Sequence, residues 1–531
     1  MKSATVRLVA TVILTAILTT LGLNAASPAQ AAGYVPISGA GSTWSQNALD
    51  QWRRNVDQFG IRVNYQGTGS SDGRNQFRNG TVDFAVSEIP YGLKDGNVID
   101  QPPIRKYAYM PIVAGGTSLM YNLTISGKRV TNLRLSGLTV AKIFTGTIKS
   151  WNDPAIKADN PGLSMPARRI VPVVRSDGSG TTAQMTAYLA AQYPSVWNSY
   201  CAKAGRSTPC GGTSTYPIVS GGGFTAQAGS LGVSGYVSQE QNVGTITYVE
   251  YSYALNTGYP VAKLLNKSGY YVEPTPNNTA VGLQGVKINT NPTSSAYLTS
   301  DLTGVYNNSD RRTYPLSSYS YMVIPTKIEG TLNANKGKTL GAFAYYFLCE
   351  GQRQAPVLGY SPLPLNLVQA GLAQVRRIPG VEAKAIDIKK CNNPTFSSDG
   401  KNLLAKNAPQ PQSCDKQGAT QCATGTGGAS KTSTSVSSSG STSPSTTTGG
   451  SSGTTGTTGG TTTTTSGTGQ TTANGDSGQG ISTVNGTAVT LPISSRWGLE
   501  QAAMVFAAIA LLVVLIAPPL VARRLGAGTN K

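Results

Sequence analysis

The chain has 531 residues, 12% of them charged, with 62 Gly, 30 Pro and a formal net charge of +20. That length allows two or three domains, and a charged fraction about half that of an ordinary soluble domain demands a long Gly/Ser/Thr stretch. The absence of histidine excludes Ser-His-Asp and Cys-His nucleophilic machinery and every His-ligated metal site, while the positive balance favours an anionic partner without naming one.

Residues 1–31 read as a secretory signal peptide. Lys2 and Arg7 give a positive start, Leu8 to Leu23 an apolar run, and Ala29-Gln30-Ala31 a small-x-small cleavage site. Beyond it, Trp44, Ala48, Trp52 and Val56 recur at every fourth position between a Ser42-Thr43 start and the Gly60 stop, which predicts an amphipathic helix. Ile61, Val63 and Tyr65 then alternate as a strand does, and Gly67 to Gly73 opens a short helix closed by Gly80. Val82, Phe84 and Val86 form the next strand, ending at Ser87-Glu88. Later, Ile170–Val174 predicts a strand, Arg175–Thr182 a turn, and Thr181 to Tyr193 a helix. This alternation predicts an α/β body with a partly parallel sheet.

Three Gly/Ser/Thr-rich turns each precede a helix: Gly39–Thr43, Gly69–Ser71 and Gly178–Thr181. A helix N-terminus leaves backbone N–H groups unpaired and carries partial positive charge. Glycines let that backbone approach closely, and Ser/Thr hydroxyls add donors, so together they suit an oxyanion. Arg175 supplies a two-pronged charged donor. Glu88 ends a strand, where crevices of open α/β sheets lie. A carboxylate there repels a fully ionised anion but accepts the O–H of a protonated one, which separates hydrogen phosphate from sulfate. Taken singly, each turn is an ordinary helix cap, Arg175 and Asp177 a surface pair, and Glu88 a solvated strand end. Their combination makes the candidate site.

The six cysteines lie in the exported body or at its edge, where disulfides are the default and 15 pairings are open. Proximity favours Cys201–Cys210 and Cys414–Cys422, leaving Cys349–Cys391. Without His or paired C-x-x-C spacing, no zinc site is expected. Residues 424–496 are almost wholly Gly, Ser and Thr and read as a disordered tether. Trp497 to Ala522 is long and apolar enough for one transmembrane helix, with Arg523-Arg524 in a cytoplasmic tail at 523–531. The rival is a sortase signal at Leu491-Pro492, whose following Ile493-Ser494-Ser495 departs from Leu-Pro-x-Thr-Gly. The expected location is therefore the outer face of the cell membrane. No specific nucleic-acid motif accompanies the charge.

Six stretches, in order, resemble the periplasmic phosphate-binding proteins of bacterial high-affinity phosphate ABC transporters. They are Gly39–Trp44, Tyr65–Ser71, Asp83–Glu88, Lys142–Gly146 with Ile148–Asp153, Arg175–Thr182, and Tyr248–Tyr251. The resemblance covers about residues 35–390 and implies a two-lobed periplasmic-binding-protein fold with a hinge, closing on its anion. Lobe I would comprise 34–113 and 277–395 and lobe II 114–276, followed by a Cys-containing extension at 396–423. Carried over by motif, Thr43 donates through backbone and hydroxyl, Trp44 through its N–H, and Ser70, Arg175, Ser179, Gly180 and Thr181 supply the other donors. Asp177 orients Arg175, and Glu88 accepts the ligand's proton.

Two positions depart from the family. Trp44 stands where Phe is usual, and Glu88 where Asp is usual. The extra methylene moves the acceptor by roughly 1.3–1.5 Å, comparable to the tolerance of a hydrogen bond. The implied protein is a monomeric, cofactor-free binder that captures inorganic phosphate and delivers it to the permease subunits of an ABC transporter. A phosphate sensor or surface adhesin on the same fold is the alternative. A phosphatase using Ser179 as nucleophile lacks both a histidine base and a metal-ligand cluster.

Overall fold

The computed structural model describes residues 33–95 and 98–436. The expected signal peptide (1–31), the greater part of the tether (437–496), the transmembrane helix (497–522) and the tail (523–531) lie outside the described residues. Among the described residues no helix is long and apolar enough to cross a membrane.

Strand β1 (Ile37–Gly41) is buried along nearly its whole length, as a strand covered on both faces must be. It pairs in parallel with β2 (Val63–Gln66) on one side and β3 (Phe84–Ser87) on the other. Helix α1 (Gln46–Asp57) connects β1 to β2, and α2 (Ser70–Arg78) connects β2 to β3. The fourfold spacing holds through Ala48, Trp52 and Val56, all fully buried. The helix nevertheless starts at Gln46 and not at Ser42. Gly41 adopts φ +136°, and a Cβ there would stand 2.1 Å from the Val86 carbonyl oxygen, so the chain turns sharply and leaves Ser42–Trp44 as a buried turn ahead of the helix.

The long strand β4 (Tyr107–Tyr121) organises the rest. In chain order it is followed by β5 (Val171–Arg175), β6 (Thr225–Gln227), β7 (Thr245–Glu250) and β8 (Ser317–Pro325). The main path of the sheet runs β2-β1-β3-β8-β4-β7-β5-β6. β5 is parallel to both β6 and β7, whereas β8 runs antiparallel to β3. The α/β body with a partly parallel sheet is therefore present as read.

β4 serves both lobes. As far as Gly116 it pairs antiparallel with β8, and from Thr117 onward with β7. The partner switch falls a few residues beyond the 113/114 boundary of the sequence reading. Here the strand carries two glycines because both faces are crowded. A Cβ at Gly115 would meet the Trp44 ring at 2.6 Å, and one at Gly116 would meet the Pro274 side chain at 2.6 Å. Helix α3 (Gly180–Gln192) follows β5, α4 (Gly229–Val237) follows β6, and α5 (Tyr251–Thr257) follows β7.

The disulfides are Cys201–Cys210, Cys349–Cys391 and Cys414–Cys422, the pairing that proximity favours. The tether expected at 424–496 needs correction at its start, because residues 424–436 pack on the second lobe. Thr426, Gly427 and Ala429 are buried there. The Thr426 hydroxyl donates to the Val261 carbonyl at 2.5 Å, and the Gly427 N–H donates to Glu273 Oε1 at 2.7 Å. A composition argument counts only apolar area. This segment is held by hydrogen bonds, and its glycines fit where a Cβ would not: at Gly428 one would lie 2.5 Å from the Ala254 carbonyl oxygen.

Candidate functional site

The turns read from sequence converge where the two lobes face each other. The Ser71 N–H donates to the Gly178 carbonyl at 3.0 Å, and the Gln184 side chain donates to the Glu88 carbonyl at 2.8 Å. Ser42–Trp44 and the heads of α2, α3 and α4 surround one buried polar cluster. Gly69, at φ +96°, turns the chain into α2; a Cβ there would stand 2.6 Å from Asp177 Oδ2.

Glu88 occupies the centre of this cluster, 2% exposed. Its Oε1 accepts from Ser42 at 2.5 Å and Ser320 at 2.8 Å, and its Oε2 accepts from Ser70 at 2.9 Å. Burial pushes its carboxyl above the usual carboxylate range, and the hydroxyls of Ser42, Ser320 and Ser70 work against that rise. Gly180 stands directly over it: a Cβ at that position would come within 2.1 Å of Glu88 Oε2 and 2.6 Å of the Ser70 hydroxyl. Only a residue without a side chain brings the head of α3 this close to the carboxylate.

Arg175, also 2% exposed, is held as a fork by Asp177. Its Nε donates to Asp177 Oδ1 at 2.7 Å, and its Nη2 pairs with Oδ2. Asp177 also accepts the Gly229 N–H at 2.9 Å. Burial acts to raise the Asp177 carboxyl, but the Arg175 guanidinium and the Gly229 N–H together hold the group below its ordinary range. Arg175 Nη1 is left pointing at Thr181 Oγ1 and Ser230 Oγ, each 3.4 Å away. The Ser179 hydroxyl caps α3 by accepting the Thr182 N–H at 3.1 Å. The amides of Gly180 and Thr181, in the first turn of α3, have no intrahelical partner.

All the expected residues therefore come together: Thr43, Trp44, Ser70, Glu88, Arg175, Asp177, Ser179, Gly180 and Thr181. One is arranged differently from expectation: the Trp44 N–H donates to Ser42 Oγ at 3.0 Å. The Ser179 N–H donates to the Ser214 carbonyl at 2.9 Å, which leaves its hydroxyl as the donor. Three more residues belong to the cluster. Ser42 lay inside a motif already noted. Ser230, whose N–H donates to Thr43 Oγ1 at 3.1 Å, stands in Ala228-Gly229-Ser230, a further small-residue turn before a helix. Ser320 arrives on β8 and carries no local signal.

A family profile described as a PBP superfamily domain matches residues 24–350. The phosphate-binding protein PstS of Xylella fastidiosa is 32% identical over 336 residues, covering 63% of this chain and 83% of that protein. Phosphate-binding protein PstS 2 of Mycobacterium tuberculosis is 30% identical over 347 residues, covering 64% and 86%. Among solved structures, a phosphate-binding protein from Stenotrophomonas maltophilia aligns with a TM-score of 0.48 at 20% identity, covering 69% of this chain and 99% of that one. The family profile spans more than half of the chain and the PstS relatives are matched over most of their length, so the chain belongs to the PBP superfamily and, within it, to the family of PstS-type phosphate-binding proteins.

Proposed function

We propose that this chain binds inorganic phosphate outside the cytoplasm and delivers it to the permease of an ABC transporter, acting as a binder and not as an enzyme. The observation that carries the reading is a buried acceptor, Glu88, enclosed by donors. Three serine hydroxyls donate to it, the head of α3 stands over it, and Arg175, its fork held by Asp177, turns Nη1 toward Thr181 in that helix head. Donors alone would hold any oxyanion. An acceptor among them favours one that still carries a proton, which near neutral pH means phosphate or arsenate and not sulfate.

The ligand would be held by Thr43, Ser70, Ser179, Gly180, Thr181 and Arg175. The Trp44 amide would join by releasing Ser42, and Asp177 would keep Arg175 aimed. As part of the same proposal, the protein is an exported monomer, freed of its 1–31 signal peptide and anchored through 497–522.

Parallel calorimetric titrations with phosphate, arsenate and sulfate test the ligand. Saturable heat with phosphate and none with sulfate is expected. Arg175→Ala removes charge-assisted bonds of the kind that contribute about 1.5–3 kcal/mol each and should weaken phosphate binding roughly a hundredfold or more. Equal binding by the variant would refute the site.

A further inference from the structure

Outside the ligand cluster, one half-buried acidic group joins the lobes. Asp95 ends a two-residue strand of the first lobe, paired with Val98–Ile99. Its carboxylate turns toward residues 206–215 of the second lobe. Oδ1 accepts from Arg206 Nη1 at 2.7 Å and from the Thr213 hydroxyl. Oδ2 accepts from the Ser214 N–H at 3.1 Å, the Ser214 hydroxyl at 2.7 Å and the Thr215 N–H at 2.9 Å.

The receiving segment is held ready for this. Cys201–Cys210 closes the loop that carries Arg206. Arg206 also braces Thr213 and the Thr215 carbonyl, at 2.8 and 3.0 Å, and the Thr213 N–H donates to Thr186 of α3 at 2.8 Å. Burial pushes the Asp95 carboxyl up, but Thr213, Ser214 and Arg206 outweigh it and hold it down at about 2.

Ser214 relays the contact to the ligand cluster. Its carbonyl accepts the Ser179 N–H at 2.9 Å, fixing the turn at the head of α3. Its hydroxyl accepts from Ser71 at 3.0 Å while donating to Asp95. One segment thus touches Asp95 and the heads of α2 and α3. Moving the lobes apart requires breaking every bond to Asp95.

We propose that Asp95 is the clasp of the closed protein, a positioning residue whose carboxylate ties the first lobe to residues 206–215 of the second and thereby slows release of the bound oxyanion. It contacts no expected ligand residue, so it acts on the closed state and not on recognition. The identity of the oxyanion rests on the phosphate reading above; the clasp itself does not.

Two measurements on the purified full-length chain test it. In the first, bound radiolabelled phosphate is chased with unlabelled phosphate. Asp95→Asn and Arg206→Gln should each speed release about tenfold, leave association nearly unchanged, and combine without adding, because each removes the same contact. In the second, hydrogen exchange of the Ser71 and Ser179 amides is followed without ligand and should be faster in Asp95→Asn. A purely local role would change exchange only near residues 95 and 206–215. Wild-type release from both variants, additive effects, or unchanged exchange at Ser71 and Ser179 would each overturn the clasp. A wild-type chain that holds no phosphate would overturn the ligand reading, and exchange at those two amides would then decide the clasp alone.

Discussion

Glu88 and Glu250 are both buried carboxyls, and their surroundings give them different consequences. Glu88 is met by three hydroxyl donors and stands beside the head of α3. Glu88→Gln places an N–H₂ where an acceptor stood, so the pocket no longer disfavours an anion without a proton. Competition titration should show the preference for phosphate over sulfate falling about tenfold or more; unchanged preference would contradict the acceptor role.

Glu250, at the β7 end of the lobe junction, accepts the Ser252 N–H at 2.7 Å through Oε2, while its Oε1 has no hydrogen-bond partner among the described residues. Burial raises its carboxyl well above the ordinary value, against the pull of Ser252 and Tyr360. The folded protein therefore keeps a proton that the unfolded chain loses near pH 4.3. Stability from this group is complete below that pH and falls as pH rises toward the folded value, by about 1.4 kcal/mol per pH unit. Glu250→Gln mimics the protonated form. Its melting temperature should match wild type near pH 4 and exceed it increasingly at higher pH; parallel curves would contradict this.

At the scale of elements, the site depends on how closely helices approach strands. A Cβ at Gly73 of α2 would fall 2.3 Å from the Gly41 Cα and 2.5 Å from the Ala40 carbonyl oxygen, so α2 lies on β1 backbone against backbone. Gly73→Ala gains about 1 kcal/mol of helix propensity, yet overpacking against immobile backbone costs typically 1–3 kcal/mol and occasionally more. Net destabilisation by denaturant titration, with weaker phosphate binding because Ser70 moves, is the expected result. Elements of this kind were legible in sequence because their signals are local: small-residue turns, fourfold and twofold spacing, and glycine stops. Ser320 was not legible. It reaches Glu88 across 232 residues of sequence, through the antiparallel pairing of Tyr321 with Ser87, and such register leaves no mark on one short segment. Residues 424–436 depart from the tether expectation for a different reason, since composition measures apolar burial and is blind to hydrogen bonding.

Across the whole molecule, the C-terminal extension touches both lobes. On the first, Arg312 donates to the Ala405 and Ala408 carbonyls at 3.0 and 3.2 Å. On the second, Arg134 donates to the Cys414 and Thr420 carbonyls at 3.0 and 2.8 Å, and Lys263 pairs with Asp415 at 2.7 Å. Cys414–Cys422 closes a loop with a sequence separation of 8, for which loop entropy gives about 2.5 kcal/mol. Replacing both cysteines by serine should lower unfolding stability by up to that amount while leaving phosphate affinity within about twofold. A large loss of affinity would show that the extension also shapes the cleft.

The end of that extension decides how a pull on the protein is carried. Residues 424–434 are fastened to the second lobe alone, with the Thr131 N–H donating to Thr434 at 2.8 Å and the Thr426 N–H to the Thr131 carbonyl at 3.0 Å. Tension applied to the chain beyond Val436 is therefore borne first by this seam on the second lobe. A leash attached there would load one lobe and leave the other free to swing, so the cleft could open and shut without working against its own mooring.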